Sequence, residues 1–183
     1  MKKGILIVSI VILFALLASC ASGPKPEKGP KKVYHPEWWD KQSTTADYVY
    51  VYGEGKKKNN ILAFESAKAM AYNEAAQYVE NYVKSMTKDF LRESGTENPQ
   101  VLQLTGRTVE MISKQKFSGT TPSKRETVEE GNKYRSFVRL SIPKEAIDKS
   151  LVNHIKNEEA LYNEFKATQA FKELEKKTDN YEE

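Results

Sequence analysis

Strict alternation marks one short stretch of the chain. In Tyr48-Val49-Tyr50-Val51-Tyr52 the valines fall on one face and the tyrosines on the other, which predicts a β-strand. The strand is expected to stop at Gly53-Glu54-Gly55, ahead of Lys56-Lys57-Lys58-Asn59-Asn60. From Asn60 to about Arg92 the period lengthens to three and four. Phe64, Ala67, Ala71, Ala75, Tyr78, Tyr82 and Met86 make a single stripe, so one long helix is predicted. Its first half carries small residues and can lie close against a sheet, while the bulkier half from Tyr78 to Phe90 reaches past the sheet to another helix. Ser94-Gly95 supplies a left-handed stop, and Asn98-Pro99 caps and starts a second helix to about Lys114. Leu102, Thr105, Val109 and Ile112 form its apolar face.

Phe117 to Val128, a turn at Glu129-Glu130-Gly131-Asn132, and Tyr134 to Ile142 read as a hairpin. Period two puts Tyr134, Ser136, Val138, Leu140 and Ile142 on one face of the last strand, and Arg135, Phe137, Arg139 and Ser141 on the other. The first set packs inward with Val49 and Val51. The fold class that follows is α+β: a small antiparallel sheet of about three strands on a long alanine-rich helix plus a second helix. Pro143 then opens a long amphipathic carboxy-terminal helix to about Thr178, with Ile147, Leu151, Ile155, Leu161, Tyr162, Phe165, Phe171 and Leu174 on its stripe and a short acidic tail behind it. At 1.5 Å per residue it would span roughly 50 Å, so part of it must project or fold back. A projecting apolar stripe needs a partner, which argues for a homo-oligomer or docking on a larger complex.

The first residues follow a different rule. Basic Lys2-Lys3, the apolar run Ile5 to Leu17 and the small residues before Cys20 have the three parts of an export signal. About 15 apolar residues fall short of the roughly 20 a spanning helix needs. Leu17-Ala18-Ser19-Cys20 resembles the lipobox of bacterial lipoproteins. That resemblance implies cleavage between Ser19 and Cys20, with diacylglycerol and a fatty acyl group (palmitate) on Cys20 as the covalent anchor. With that thiol consumed, the rest of the chain has no cysteine for disulfide, nucleophile or metal. Residues 20–33 read as a tether: Pro24, Pro26, Pro30, Gly23 and Gly29 exclude helix, and the lysines leave it basic. It reaches about 40 Å at most, at about 3.1 Å per residue, so the domain from residue 34 works beside the membrane. Ala21 after the cysteine leans toward outer-membrane sorting.

Composition narrows the chemistry. The formal charge of +4 includes Lys2 and Lys3, and the near-balance that remains does not suit a nucleic-acid binder. His35 and His154 are the two histidines, one in a proline turn and one on a solvated helix, so neither a metal triad nor a serine-type triad is readily built. Glu129-Glu130 and Glu158-Glu159 sit in polar surroundings, and no carboxylate lies in a stretch apolar enough to tune it as an acid. The expected chain is not an enzyme and has no cofactor beyond its lipid. Two surfaces are candidates for contact. If the first strand pairs with the last, Tyr48, Tyr50, Tyr52, Arg135, Phe137 and Arg139 share the outward sheet face, where aromatics and arginines grip an acidic or aromatic partner unless the last helix or another subunit covers them. Gly53, Gly55, Lys56, Lys57 and Lys58 before a helix amino terminus form a weaker candidate anion loop, lacking the third glycine and Lys-Ser/Thr of nucleotide motifs. Of Trp38 and Trp39, one is expected under the domain and one at its rim.

Taken in order, Cys20, Pro36-Glu37-Trp38-Trp39, the Tyr/Val strand into Gly53-Glu54-Gly55, the helix with Ala63, Ala67, Ala71 and Ala75, and Tyr134-Arg135-Ser136-Phe137-Val138-Arg139-Leu140 resemble the Lpp-twenty lipoprotein family. The same module is similar to FlgP and the amino-terminal region of FlgT, accessory proteins of flagellar motors. The resemblance covers about Pro36 to Pro143. It implies a β-α-β-β domain, no catalysis, and a structural role at the outer membrane. The alternative left open by the residues is a monomeric binding module for peptidoglycan, lipid or an anionic glycan.

Overall fold

The computed structural model describes residues 33–39, 45–115 and 120–181. The export signal, Ser19, Cys20, the tether up to Lys32 and Phe117 lie outside the described residues. The elements run β1 (Tyr48–Lys57), α1 (Asn60–Ser94), α2 (Pro99–Lys114), β2 (Thr121–Glu130), β3 (Lys133–Pro143), α3 (Lys144–Asn157), α4 (Glu159–Phe165) and α5 (Gln169–Asp179). The fold is α+β. An antiparallel sheet in the order β1-β3-β2 packs against five helices. From His35 onward the chain forms one compact unit.

β1 does not stop at its glycines. It continues to Lys57, and Val49, Val51, Gly53 and Gly55 share its inward face. The glycines are there because α1 comes too close for any side chain. A Cβ on Gly53 would lie 2.0 Å from the Ala67 carbonyl oxygen, and one on Gly55 would lie 2.3 Å from that of Ala63. Opposite them α1 presents Ala63, Ala67 and Ala71, all fully buried. The helix starts at Asn59, whose side-chain oxygen accepts from the N–H groups of Ile61 and Leu62 at 2.8 and 3.1 Å. It ends at Gly95 with φ +65°.

Beyond the sheet the buried row of α1 continues through Ala75, Val79, Val83, Thr87 and Phe90. The predicted row shares Ala67, Ala71 and Ala75 with this one and departs from it by one position at Phe64, Tyr78, Tyr82 and Met86. Those four flank the core half-buried instead, because the glycine contact fixes the helix phase and the smaller residues take the centre. In α2 the same kind of rotation buries Val101 and Thr108 and leaves Leu102 exposed. The buried threonines Thr87, Thr105 and Thr108 satisfy their hydroxyls by donating to carbonyls one turn back, at 2.8–2.9 Å. β3 follows its predicted alternation: Val138, Leu140 and Ile142 are buried, and the Ser136 hydroxyl pairs with that of Thr127 at 2.7 Å.

The carboxy-terminal segment is three helices in place of one. Glu158 adopts an extended conformation between α3 and α4, inside the polar run Asn157 to Glu159. Thr168 does the same before α5, where its hydroxyl accepts from the Phe171 N–H at 3.3 Å. Each break turns the apolar stripe back onto the far half of α1. Phe90 then lies 5.5 Å from Phe165 and 5.7 Å from Phe171, ring centre to ring centre. Ile147, Leu151, Ile155, Leu161, Phe165, Phe171 and Leu174 are all buried within the chain.

Gly53→Ala or Gly55→Ala should cost about 3 kcal/mol or more, since the methyl meets backbone on both sides. Gly106→Ala, in the exposed interior of α2 with open space around it, should instead stabilise by about 0.5–1 kcal/mol. Urea unfolding of the three variants checks both signs, and equal effects would mean the close approach is not what the glycines serve.

Candidate functional site

Antiparallel pairing of β1 with β3 sets Tyr52 opposite Arg139, Glu54 opposite Phe137 and Lys56 opposite Arg135. Tyr48, Tyr50, Tyr52, Arg135, Phe137 and Arg139 therefore do share the outward face, and the chain then divides them into three groups. Phe137 is fully buried, because the turn from His35 to Trp39 folds over it: the Trp39 ring stands edge-on 5.0 Å from Phe137 and 5.4 Å from Tyr52, and His35 lies 5.8 Å from Phe137. That amino-terminal turn is the cover, where the last helix or another subunit had been expected. Trp38 stays at the edge, 6.2 Å from Trp39.

Arg135 is occupied by charge. Its guanidinium lies 3.4 Å from Glu54 and 3.1 Å from Glu130, with only 13% of its side chain exposed. Lys56 also pairs with Glu130. The Lys56 ammonium, with Arg135 beside it, holds the Glu130 carboxyl below its usual range. What remains open is a short ladder. Tyr48 stacks on Tyr50 at 6.5 Å, and the Arg139 guanidinium lies 4.3 Å over the Tyr50 ring while its Nε donates to the Ser123 hydroxyl at 3.0 Å. Tyr48 is itself exposed. A planar cation fixed over a tyrosine ladder suits an acidic or aromatic surface of a partner.

The anion loop does not form as a loop. Gly53 and Gly55 are strand residues facing α1, Lys56 is paired, and the helix N–H groups an anion would need already donate to Asn59. Among the described residues no group of three His, Cys, Asp or Glu side chains is placed to hold a metal.

One polar cluster escaped the sequence reading. Asp148 of α3 is 0% exposed, although no carboxylate was expected in apolar surroundings. Tyr82 of α1 donates to one of its oxygens at 2.7 Å, and Lys177 of α5 and Tyr181 donate to the other. Burial raises the Tyr82 phenol, and the hydrogen bond to Asp148 raises it further. Burial alone would lower the Lys177 ammonium, but bonding to Asp148 outweighs this and holds it above its ordinary range. The signal available in sequence was spacing: Asp148 lies between Ile147 and Leu151 on the buried side of α3. The cluster joins three helices, α1, α3 and α5.

A cleft of about 530 Å³ opens between α1 and the end of α2, floored by Ala75, Val79 and Ile142 and rimmed by Tyr72, Lys114 and Thr120. Fold and face together define an α+β domain with a tyrosine–arginine ladder on its outward sheet face. No family model, curated protein or solved structure matches the chain.

Lys177→Met leaves the Asp148 carboxylate buried without its cation. The cost should be about 2–3 kcal/mol, below the full value for a buried pair because the lysine head is half exposed. A raised lysine contributes stability fully below its unfolded value and loses it as pH rises. The gap between wild type and variant in chemical unfolding should therefore stay constant from pH 7 to about 10 and shrink above that.

Proposed function

We propose that the chain is a non-catalytic lipoprotein of a bacterial envelope, anchored through lipid on Cys20, with a structural or assembly role on a larger envelope complex at the outer membrane. The observation that carries the docking part is the Tyr48–Tyr50–Arg139 ladder, the portion of the outward face that the described residues neither bury nor pair with an acid. The address rests on Lys2-Lys3, the apolar run and the lipobox-like Leu17 to Cys20. The resemblance to the Lpp-twenty family and to flagellar accessory modules supports the same reading. The last helix is no longer its support: the stripe that was to project is buried against α1. Among the described residues no helix is long and apolar enough to cross a membrane, and the proposed attachment is the lipid.

The second reading, a monomeric binding module, draws on the apolar floor of the cleft between α1 and α2. It places the ligand away from the tyrosine ladder, so one experiment separates the two.

Cys20→Ala should abolish the mass of diacylglycerol and acyl groups on the mature amino terminus and shift the chain out of the membrane fraction. With Cys20 intact, a photo-crosslinking phenylalanine analogue at position 48 should yield a discrete adduct with an envelope protein, and one at the exposed position 103 of α2 should not. Adduct formation at neither position, with lipid intact, would refute docking through the ladder.

A further inference from the structure

The two edges of the sheet are built differently. β2 is blunted: it carries Pro122, a register shift between Pro122 and Lys124, and the charged pair Lys124-Arg125, the devices that discourage another strand. β1 carries no proline and keeps an unbroken register over ten residues, and its charged pair, Lys56-Lys57, falls at its very end. The Lys144 N–H donates to the Asp47 carbonyl at 2.9 Å, which makes the odd-numbered residues of β1 the ones bonded to β3. The N–H and C=O of the even-numbered residues turn away from the sheet. Those of Tyr48 meet the Thr45 hydroxyl and N–H. Those of Tyr50, Glu54 and Lys56 face an edge where the described residues place no strand.

α1 carries a matching flank. Phe64 lies on its β2 side, where Arg125 sits 5.1 Å from the ring. Each residue turns the helix by about 100°, so Leu62, Ser66 and Met70 lie on the opposite side of the buried row Ala63, Ala67, Ala71, beneath the open edge of β1. Leu62 is 60% exposed and Met70 is 47% exposed, and Ile61, 66% exposed, adds to the apolar surface at the start of the helix. Ser66 lies directly under Gly55, 2.8 Å from where a Cβ there would be.

The geometry points to a second copy of this chain as the occupant, its β1 pairing antiparallel with this one about a two-fold axis near Gly55 and Ser66. Two independent sets of residues agree on that axis. In the strand, Glu54 and Lys56 are equidistant from Gly55, so each Glu54 faces Lys56 of the second copy, beside the Arg135 and Glu130 that each already pairs with in its own chain. In the helix, Leu62 and Met70 are equidistant from Ser66, so each Leu62 meets Met70 of the second copy. The two α1 helices then run past each other with Ser66 at the crossing, a small residue that permits close packing. The result is a continuous six-stranded sheet with an isologous interface. This goes beyond the docking role proposed above and does not require it, since neither lipid nor the tyrosine ladder takes part.

The test uses the full chain in detergent, with mass measured by sedimentation equilibrium across micromolar concentrations. The wild type should be a dimer. Leu62→Lys with Met70→Lys alters side chains already in water and should raise the dissociation constant at least tenfold while leaving circular dichroism and melting unchanged. Glu54→Pro removes an N–H that points away from β3 and should have the same effect. If Glu54→Pro fails to fold, the lysine pair carries the test alone. Ser66→Cys with a short bis-maleimide should give covalent dimer, and Gln103→Cys should not. A wild type that is monomeric throughout, a dimer indifferent to the lysine pair, or a dimer untouched by a folded Glu54→Pro would each overturn the proposal. Loss of the position-48 adduct with the dimer intact would count against the docking role alone.

Discussion

The close approach of α1 to β1 at Gly53 and Gly55 is the constraint on which the rest of the molecule depends. With no side chain on the strand and only methyls on Ala63, Ala67 and Ala71, backbone meets backbone across this part of the sheet. Contact at that range is possible in one rotational setting of the helix. Once the phase is fixed at Ala63, the buried row must run through Val79, Val83, Thr87 and Phe90, whatever the tyrosines beside it prefer. The 35 residues of α1 extend about 52 Å, longer than the strands they underlie, and the surplus half becomes the post around which α2, α3, α4 and α5 gather.

That second core is pinned by an acid. A buried carboxylate is costly unless every oxygen is bonded and its charge is matched. Asp148 meets the requirement by drawing on Tyr82 from α1 and on Lys177 and Tyr181 from the end of the chain. Few dockings of α5 satisfy all three, so the cluster specifies where the carboxy terminus returns. Glu93 assists from the end of α1, its carboxylate accepting from the Ala170 N–H at 3.0 Å at the first turn of α5.

The outward sheet face shows how little of a suggestive surface stays available after folding. Of its six tyrosine, phenylalanine and arginine residues on β1 and β3, Phe137 and Tyr52 go to the tryptophan turn and Arg135 to two glutamates. The remaining ladder is small, with Tyr48 stacked on Tyr50 and Arg139 held over the Tyr50 ring by its bond to Ser123. Its neighbour, the open edge of β1, is a backbone surface, and the two are adjacent because the same strand supplies both.

The sequence by itself determined the elements that rest on local periodicity and turn chemistry: the alternating β1 and β3, the hairpin turned by Gly131-Asn132, the capped helices and the inward set Val138, Leu140 and Ile142. It also determined which residues share the outward face, since period two leaves no freedom once β1 pairs with β3. Tertiary structure alone decided the rest. Whether Gly53 and Gly55 form a loop or admit a helix depends on what lies on their far side, which no local pattern records. The helix row agrees with the predicted one at Ala67, Ala71 and Ala75 and departs from it by one position beyond the sheet. The breaks at Glu158 and Thr168 are weak signals locally and become decisive only because Phe90 waits for Phe165 and Phe171. Asp148 looked like an ordinary helix-surface acid, and its burial was set by a lysine 29 residues further along the chain.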